Sequence, residues 1–93
     1  MEETTVLEKP ATTNTDTTGG ARVILLNDDY HSFDDVITQL MKAIHCTPEK
    51  GESIAWTVHT QGKCEVYHGP VEECLQVSAI LEEIDLKTEI DFS

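Results

Sequence analysis

Basic residues are scarce in this sequence: six Lys and Arg stand against 18 Asp and Glu, for a formal net charge of −12. A nucleic-acid backbone or an anionic membrane would be repelled by such a chain, so neither is expected as its main partner, and cationic or neutral ligands suit it better. Long apolar runs are also missing, and none approaches the length needed to span a bilayer. The start, Met1-Glu2-Glu3, is acidic where a secretory signal would be basic, so a cytoplasmic location is expected. Cysteine is sparse, and Cys46, Cys64 and Cys74 are odd in number and lack metal-site spacing. They are expected to be small hydrophobes in a reducing compartment. Neither a metal nor a cofactor is expected.

Ninety-three residues bound the chain to one domain. Residues 1–20 are rich in Thr, carry Pro10 and Gly19-Gly20, and show no apolar periodicity, which predicts a disordered N-terminal extension. The folded core is then residues 21–93, roughly 70 residues, near the lower limit for a self-sufficient core. Little is left over for an enclosed active site.

Within that core, residues 22 to 26 read as a short buried strand, continuous in apolar residues. Ser32 is placed to cap a helix in which Phe33, Val36, Ile37, Leu40, Met41 and Ile44 form one buried stripe. A second helix opens at Thr47-Pro48 and ends at Gly62, with Gly51, Ile54, Ala55 and Val58 on one face and His59 at its edge. Lys63 to His68 reads as a strand with Cys64 and Val66 inward and Glu65 and Tyr67 outward. Gly69-Pro70 opens a third helix with a stripe of Cys74, Val77, Leu81 and Ile84, and Leu86 to Ile90 alternates as a last strand. The order β-α-α-β-α-β predicts an α+β two-layer sandwich: a three-stranded, mainly antiparallel sheet covered on one face by three helices.

Between the first strand and the first helix stand Asn27, Asp28, Asp29 and Tyr30. Short polar side chains of this kind make ordinary turns, by bonding to their own backbone. They also hold two carboxylates and a carboxamide at the mouth of the core, where a cation is the natural partner. Loops on rigid elements carry a disproportionate share of binding residues.

The run Val23-Ile24-Leu25-Leu26-Asn27-Asp28-Asp29-Tyr30, with Phe33 and Val36 after it and Val58-His59-Thr60-Gln61-Gly62-Lys63 further on, closely resembles the bacterial ClpS family, adaptors of the ClpAP-type protease. The likeness covers about residues 21 to 91, including element order and loop lengths. It implies a non-enzymatic adaptor for N-degron substrates, proteins that begin with a large hydrophobic residue (Leu, Phe, Tyr or Trp), which it hands to a Clp AAA+ unfoldase of the ClpA or ClpC type. The resemblance further implies that Asn27, Asp28 or Asp29, and His59 surround the substrate's α-ammonium group. Such a group is a cation with three donors near neutral pH, and a carboxylate, an amide oxygen and a neutral imidazole can accept them.

The family's side-chain pocket falls on His31, Phe33, Val36, Ala55, Val58 and Leu86, residues that periodicity alone explains as core. Two departures alter its shape: many members have Met where Phe33 and Ala55 stand, and Thr-Pro is common where His31-Ser32 stands. The unfoldase-docking face maps to Glu72, Glu73 and Gln76, which otherwise read as a solvated helix face. The resemblance also gives residues 1–20 the role of a delivery arm, and the chain is expected to be a monomer. Two other readings compete. One is a small metal-dependent or acid-base hydrolase using Asp28, Asp29, His31 and His59, the right ligand types for zinc or manganese. The other is a structural interaction domain similar to the C-terminal part of the ribosomal stalk protein, which has the same two-layer fold.

Overall fold

β1 (Ala21–Leu26) is the middle strand of the computed structural model, which describes residues 20–92. It pairs antiparallel with β2 (Lys63–Gly69) on one side and with β3 (Thr88–Phe92) on the other, giving the order β2-β1-β3. Helices α1 (Phe33–Ile44), α2 (Pro48–Gln61) and α3 (Val71–Glu82) complete the order β-α-α-β-α-β, so the expected α+β two-layer architecture and antiparallel sheet are what the structure has. The extension expected over residues 1–20 lies, apart from Gly20, outside the described residues.

The apolar run in β1 is buried on one face only. Ala21, Val23 and Leu25 are buried, while Arg22, Ile24 and Leu26 alternate with them as half-buried positions, because a strand sends successive side chains to opposite faces. On the other face, Arg22 donates to Glu65 of β2 at 3.2 Å and to Asp91 of β3, linking all three strands. The core under the sheet is Ala21, Val23, Leu25, Leu40, Ala43, Ile54, Val58, Cys74, Val77, Leu81 and Leu86.

Helix ends follow the local chemistry. The Ser32 hydroxyl accepts from the Asp35 N–H at 3.1 Å, and Thr47 accepts from the Lys50 N–H at the same distance. Gly62 ends α2 at φ 89°, its N–H donating to the Val58 carbonyl at 2.9 Å. Gly51 has a different reason to be glycine: a Cβ there would stand 3.1 Å from Cγ2 of Ile37, where α2 crosses α1.

Three expectations need correction. Tyr67 does not face solvent: a register shift passes from Val23 opposite Tyr67 to Ile24 opposite Glu65, so Tyr67 shares the core face with Val23 and packs against the core. The last strand is Thr88–Phe92, and Leu86 is buried in the turn before it. Ile84 likewise lies beyond the end of α3, packed against the core from the turn. The structure also buries a residue that periodicity leaves out. Gln39 of α1 donates to the Ile80 carbonyl at 2.5 Å and to Glu83 at 3.0 Å, and Lys42 reaches Glu83 at 2.7 Å, which fastens α1 to the end of α3.

The cysteines are all free thiols, and burial is the leading cause that pushes Cys64 and Cys74 above the ordinary thiol value, away from reactive thiolate chemistry. No helix among the described residues is long and apolar enough to cross a membrane.

Two substitutions separate packing from backbone strain. Leu40→Ala, at a fully buried position, should cost about 3 kcal/mol in urea unfolding. Gly62→Ala should cost about 1 kcal/mol although a Cβ there meets nothing within 4 Å, because the penalty lies in the left-handed backbone alone.

Candidate functional site

The end of β1 is pinned from both sides. The Leu26 N–H donates to the Lys87 carbonyl and the Asn27 N–H to the Gly62 carbonyl, each at 2.9 Å. Beyond Asn27 the ladder stops, and the Asp28 side chain takes over the backbone: its Oδ1 accepts from the N–H of Tyr30 at 2.9 Å and of His31 at 3.1 Å. The turn reading of Asn27 to Tyr30 is therefore correct for Asp28, and the same turn leaves its carboxylate at the edge of a cleft.

That cleft, open to solvent, has a volume of about 390 Å³ including its mouth and is lined by Leu25, Leu26, Asn27, Asp28, His31, Phe33, Val36, Ala55, Val58, His59 and Leu86. Its walls are apolar and come from α1, α2, the end of β1 and the turn before β3. Its lip is polar, formed by the Asn27–Asp28 loop and by His59 on the last turn of α2. The residues expected from the sequence thus come together with one exception: Asp29 is exposed and is not among the lining residues. Leu25 and Leu26 line the cleft but were not singled out from the sequence. Their place at the last two positions of an apolar strand was the available signal.

His59 is more exposed than its position at the edge of the apolar face suggested. Its ring meets Phe33 at 5.5 Å and Trp56 at 5.9 Å between centroids, and Phe33 meets Trp56 at 5.0 Å, all edge to face. This aromatic group orients the imidazole at the lip. Among the described residues His59 makes no protein hydrogen bond, so its ring nitrogens are open to a ligand.

His31 also lines the cleft and is tied at both nitrogens. Nδ1 lies 2.8 and 3.0 Å from the two Asp28 carboxylate oxygens, and Nε2 donates to the Ile84 carbonyl. That carbonyl hydrogen bond is the largest influence raising the His31 pKa; burial opposes it, and Asp28 and Asp35 add to it. For Asp28, burial would raise the pKa, but the donors from Tyr30 and His31 prevail and hold it below the ordinary carboxylate value. Both shifts favour the charged forms of the pair. Of the set Asp28, Asp29, His31 and His59, three line the cleft and Asp29 does not, and the Asp28 carboxylate and the His31 ring are bonded to each other. Among the described residues no group of three or more His, Cys, Asp or Glu side chains is placed to hold a metal ion.

Glu72, Glu73 and Gln76 lie exposed on the first half of α3, beside Leu75, which is 53% exposed. Glu73 accepts the Tyr67 hydroxyl at 2.5 Å and so is partly held against β2.

Comparison with known proteins agrees with this architecture. A segment of human E3 ubiquitin-protein ligase UBR2 is 33% identical over 58 residues, which take in 62% of this chain and 3% of the ligase, and the mouse ligase matches to the same extent. This chain thus spans a small fraction of the curated relatives it matches. The solved structure of Agrobacterium tumefaciens ClpS2 bound to L-phenylalaninamide superposes with a TM-score of 0.76, covering 81% of this chain and 98% of that one at 18% identity, which shows a shared fold. The family model described as ATP-dependent Clp protease adaptor protein ClpS matches residues 17–89. Cleft, element order and family match lead to one statement: the chain belongs to the ClpS family.

Proposed function

We propose that this protein is a non-enzymatic adaptor that binds the free amino terminus of proteins beginning with Leu, Phe, Tyr or Trp and delivers them to a Clp AAA+ unfoldase for degradation. The observation that carries this reading is the juxtaposition of a polar lip, Asn27, Asp28 and His59, with an apolar cleft of about 390 Å³. An α-ammonium group needs three acceptors, and the lip offers a carboxamide oxygen, a carboxylate and an imidazole nitrogen. The side chain on the adjoining carbon then enters the cleft between Phe33, Val36, Val58 and Leu86. Burying a Leu or Phe side chain there stabilises the complex by roughly 1.5–3 kcal/mol, a preference of about ten- to a hundredfold over small or polar first residues.

The ligand in the Agrobacterium ClpS2 structure has this chemistry, a free α-amino group beside a benzyl side chain. Membership of an adaptor family supports the non-catalytic reading. We assign unfoldase docking to the exposed start of α3, Glu72, Glu73 and Gln76, facing the N-terminal domain of a ClpA- or ClpC-type partner, and substrate delivery to residues 1–20. The protein acts as a monomer in the cytoplasm.

A peptide beginning with Phe, titrated by fluorescence anisotropy, should bind at least about a hundredfold more tightly than its N-acetylated form, since acetylation removes the charge and two donors. Equal affinities would remove the reading. His59→Ala should weaken binding by about tenfold while lowering the melting temperature by no more than a few degrees, because the exposed ring carries no protein hydrogen bond among the described residues and gives up only its edge-to-face contacts with Phe33 and Trp56.

A further inference from the structure

His31 places a cation beside the carboxylate assigned to an incoming ammonium, which by simple charge counting ought to weaken the site. Its bonding shows what it does instead. Nδ1 faces the Asp28 carboxylate and Nε2 faces the Ile84 carbonyl, two acceptors with no proton of their own to give. Acceptors at both positions favour hydrogen on both ring nitrogens, the imidazolium form. The two side chains are well covered, His31 at 16% exposure and Asp28 at 7%, so water competes little for these bonds.

The consequence for Asp28 follows from counting lone pairs. A carboxylate offers about four acceptor positions. The N–H groups of Tyr30 and His31 and the His31 ring take three, leaving one on Oδ2. Ile84 belongs to the turn after α3 that also carries Leu86, a wall of the cleft. One ring therefore joins the acceptor of the lip to the element that shapes the apolar slot.

We propose that His31 is a positioning residue: its imidazolium clamps Asp28 to the Ile84 carbonyl, fixing the last open carboxylate lone pair over the cleft and the Leu86 wall beside it. This role rests on the amino-terminus reading of the site. Fixing the geometry in advance strengthens binding by raising the fraction of molecules already competent to bind. The raised pKa of His31 sets the pH window: the clamp is complete below the ordinary imidazole value of 6.5 and is lost as pH rises through the raised value. The charged or titratable groups around it are Asp28 and Asp29 on its own loop, Asp35 on α1, His59 of α2 in the cleft lining, and Asp85 beside Ile84 in the turn.

The test compares the full-length protein with His31→Gln, which removes the charge and one ring donor. The variant should fold, because Gln39 and Lys42 hold the end of α3 through Ile80 and Glu83 independently of His31. Affinity for a Phe-initiated peptide is measured from about pH 6 to about pH 9. Titration of the peptide's own amino group is common to both proteins and cancels in the ratio of their affinities. At the acid end wild type should bind about tenfold more tightly, and the ratio should fall towards one as pH rises. A ratio independent of pH, or a variant that binds as well as wild type throughout, overturns the positioning role. Nitrogen NMR of the unliganded protein reads the same claim without any peptide: both His31 ring nitrogens should be protonated at neutral pH, and a neutral tautomer there overturns it. If neither protein distinguishes the free peptide from its acetylated form, the function proposed above fails, and the NMR result alone then decides the clamp.

Discussion

Where β1 stops decides everything at the site. As the central strand it is held by hydrogen bonds on both edges, and its last two donors, from Leu26 and Asn27, go to Lys87 on one side and Gly62 on the other. Those two carbonyls belong to the segments that carry the opposite walls, Leu86 before β3 and His59 at the end of α2. One pair of backbone bonds therefore sets the lip loop and both walls in a single frame. Binding energy is then not spent on assembling the cleft when a ligand arrives.

The site itself combines a polar and an apolar contribution that would be weak apart. An ammonium held only by a carboxylate in water gains little, because solvent competes for every donor. An apolar slot alone would take any greasy side chain, internal or terminal. Together they select a charged group separated by one carbon from a large apolar one, and in a polypeptide only the first residue has that pattern. The acidic surface, at −12 overall, favours the approach of such cationic termini and disfavours anionic partners.

Much of this was legible in the sequence because the signals were local. Ser32, Thr47 and Gly62 announce helix ends through side chains and backbone within three or four residues, and the buried face of α2 follows from its spacing. What escaped was set by distant partners. Tyr67 turns inward because of a register shift against β1, which no period-2 count can show. Leu86 is buried in a turn because β3 pairs only from Thr88 onward. Gln39 is buried because carbonyl and carboxylate partners on α3 satisfy it. Asp28 and Asp29 are chemically equivalent as sequence, and only the turn that Asp28 closes on Tyr30 and His31 places one in the cleft lining and leaves the other outside it. His31 read as a pocket wall, and its second partner, Ile84, lies 53 residues away.

The central claim is that the first side chain of a substrate occupies the slot beneath Asn27, Asp28 and His59. Nuclear Overhauser contacts between the benzyl protons of bound L-phenylalaninamide and the methyl groups of this protein read it directly. The account predicts contacts to Val36, Val58 and Leu86, three of the methyl-bearing residues that line the cleft. Contacts confined to the exposed face of α3 around Leu75, or none at saturating ligand, would contradict it.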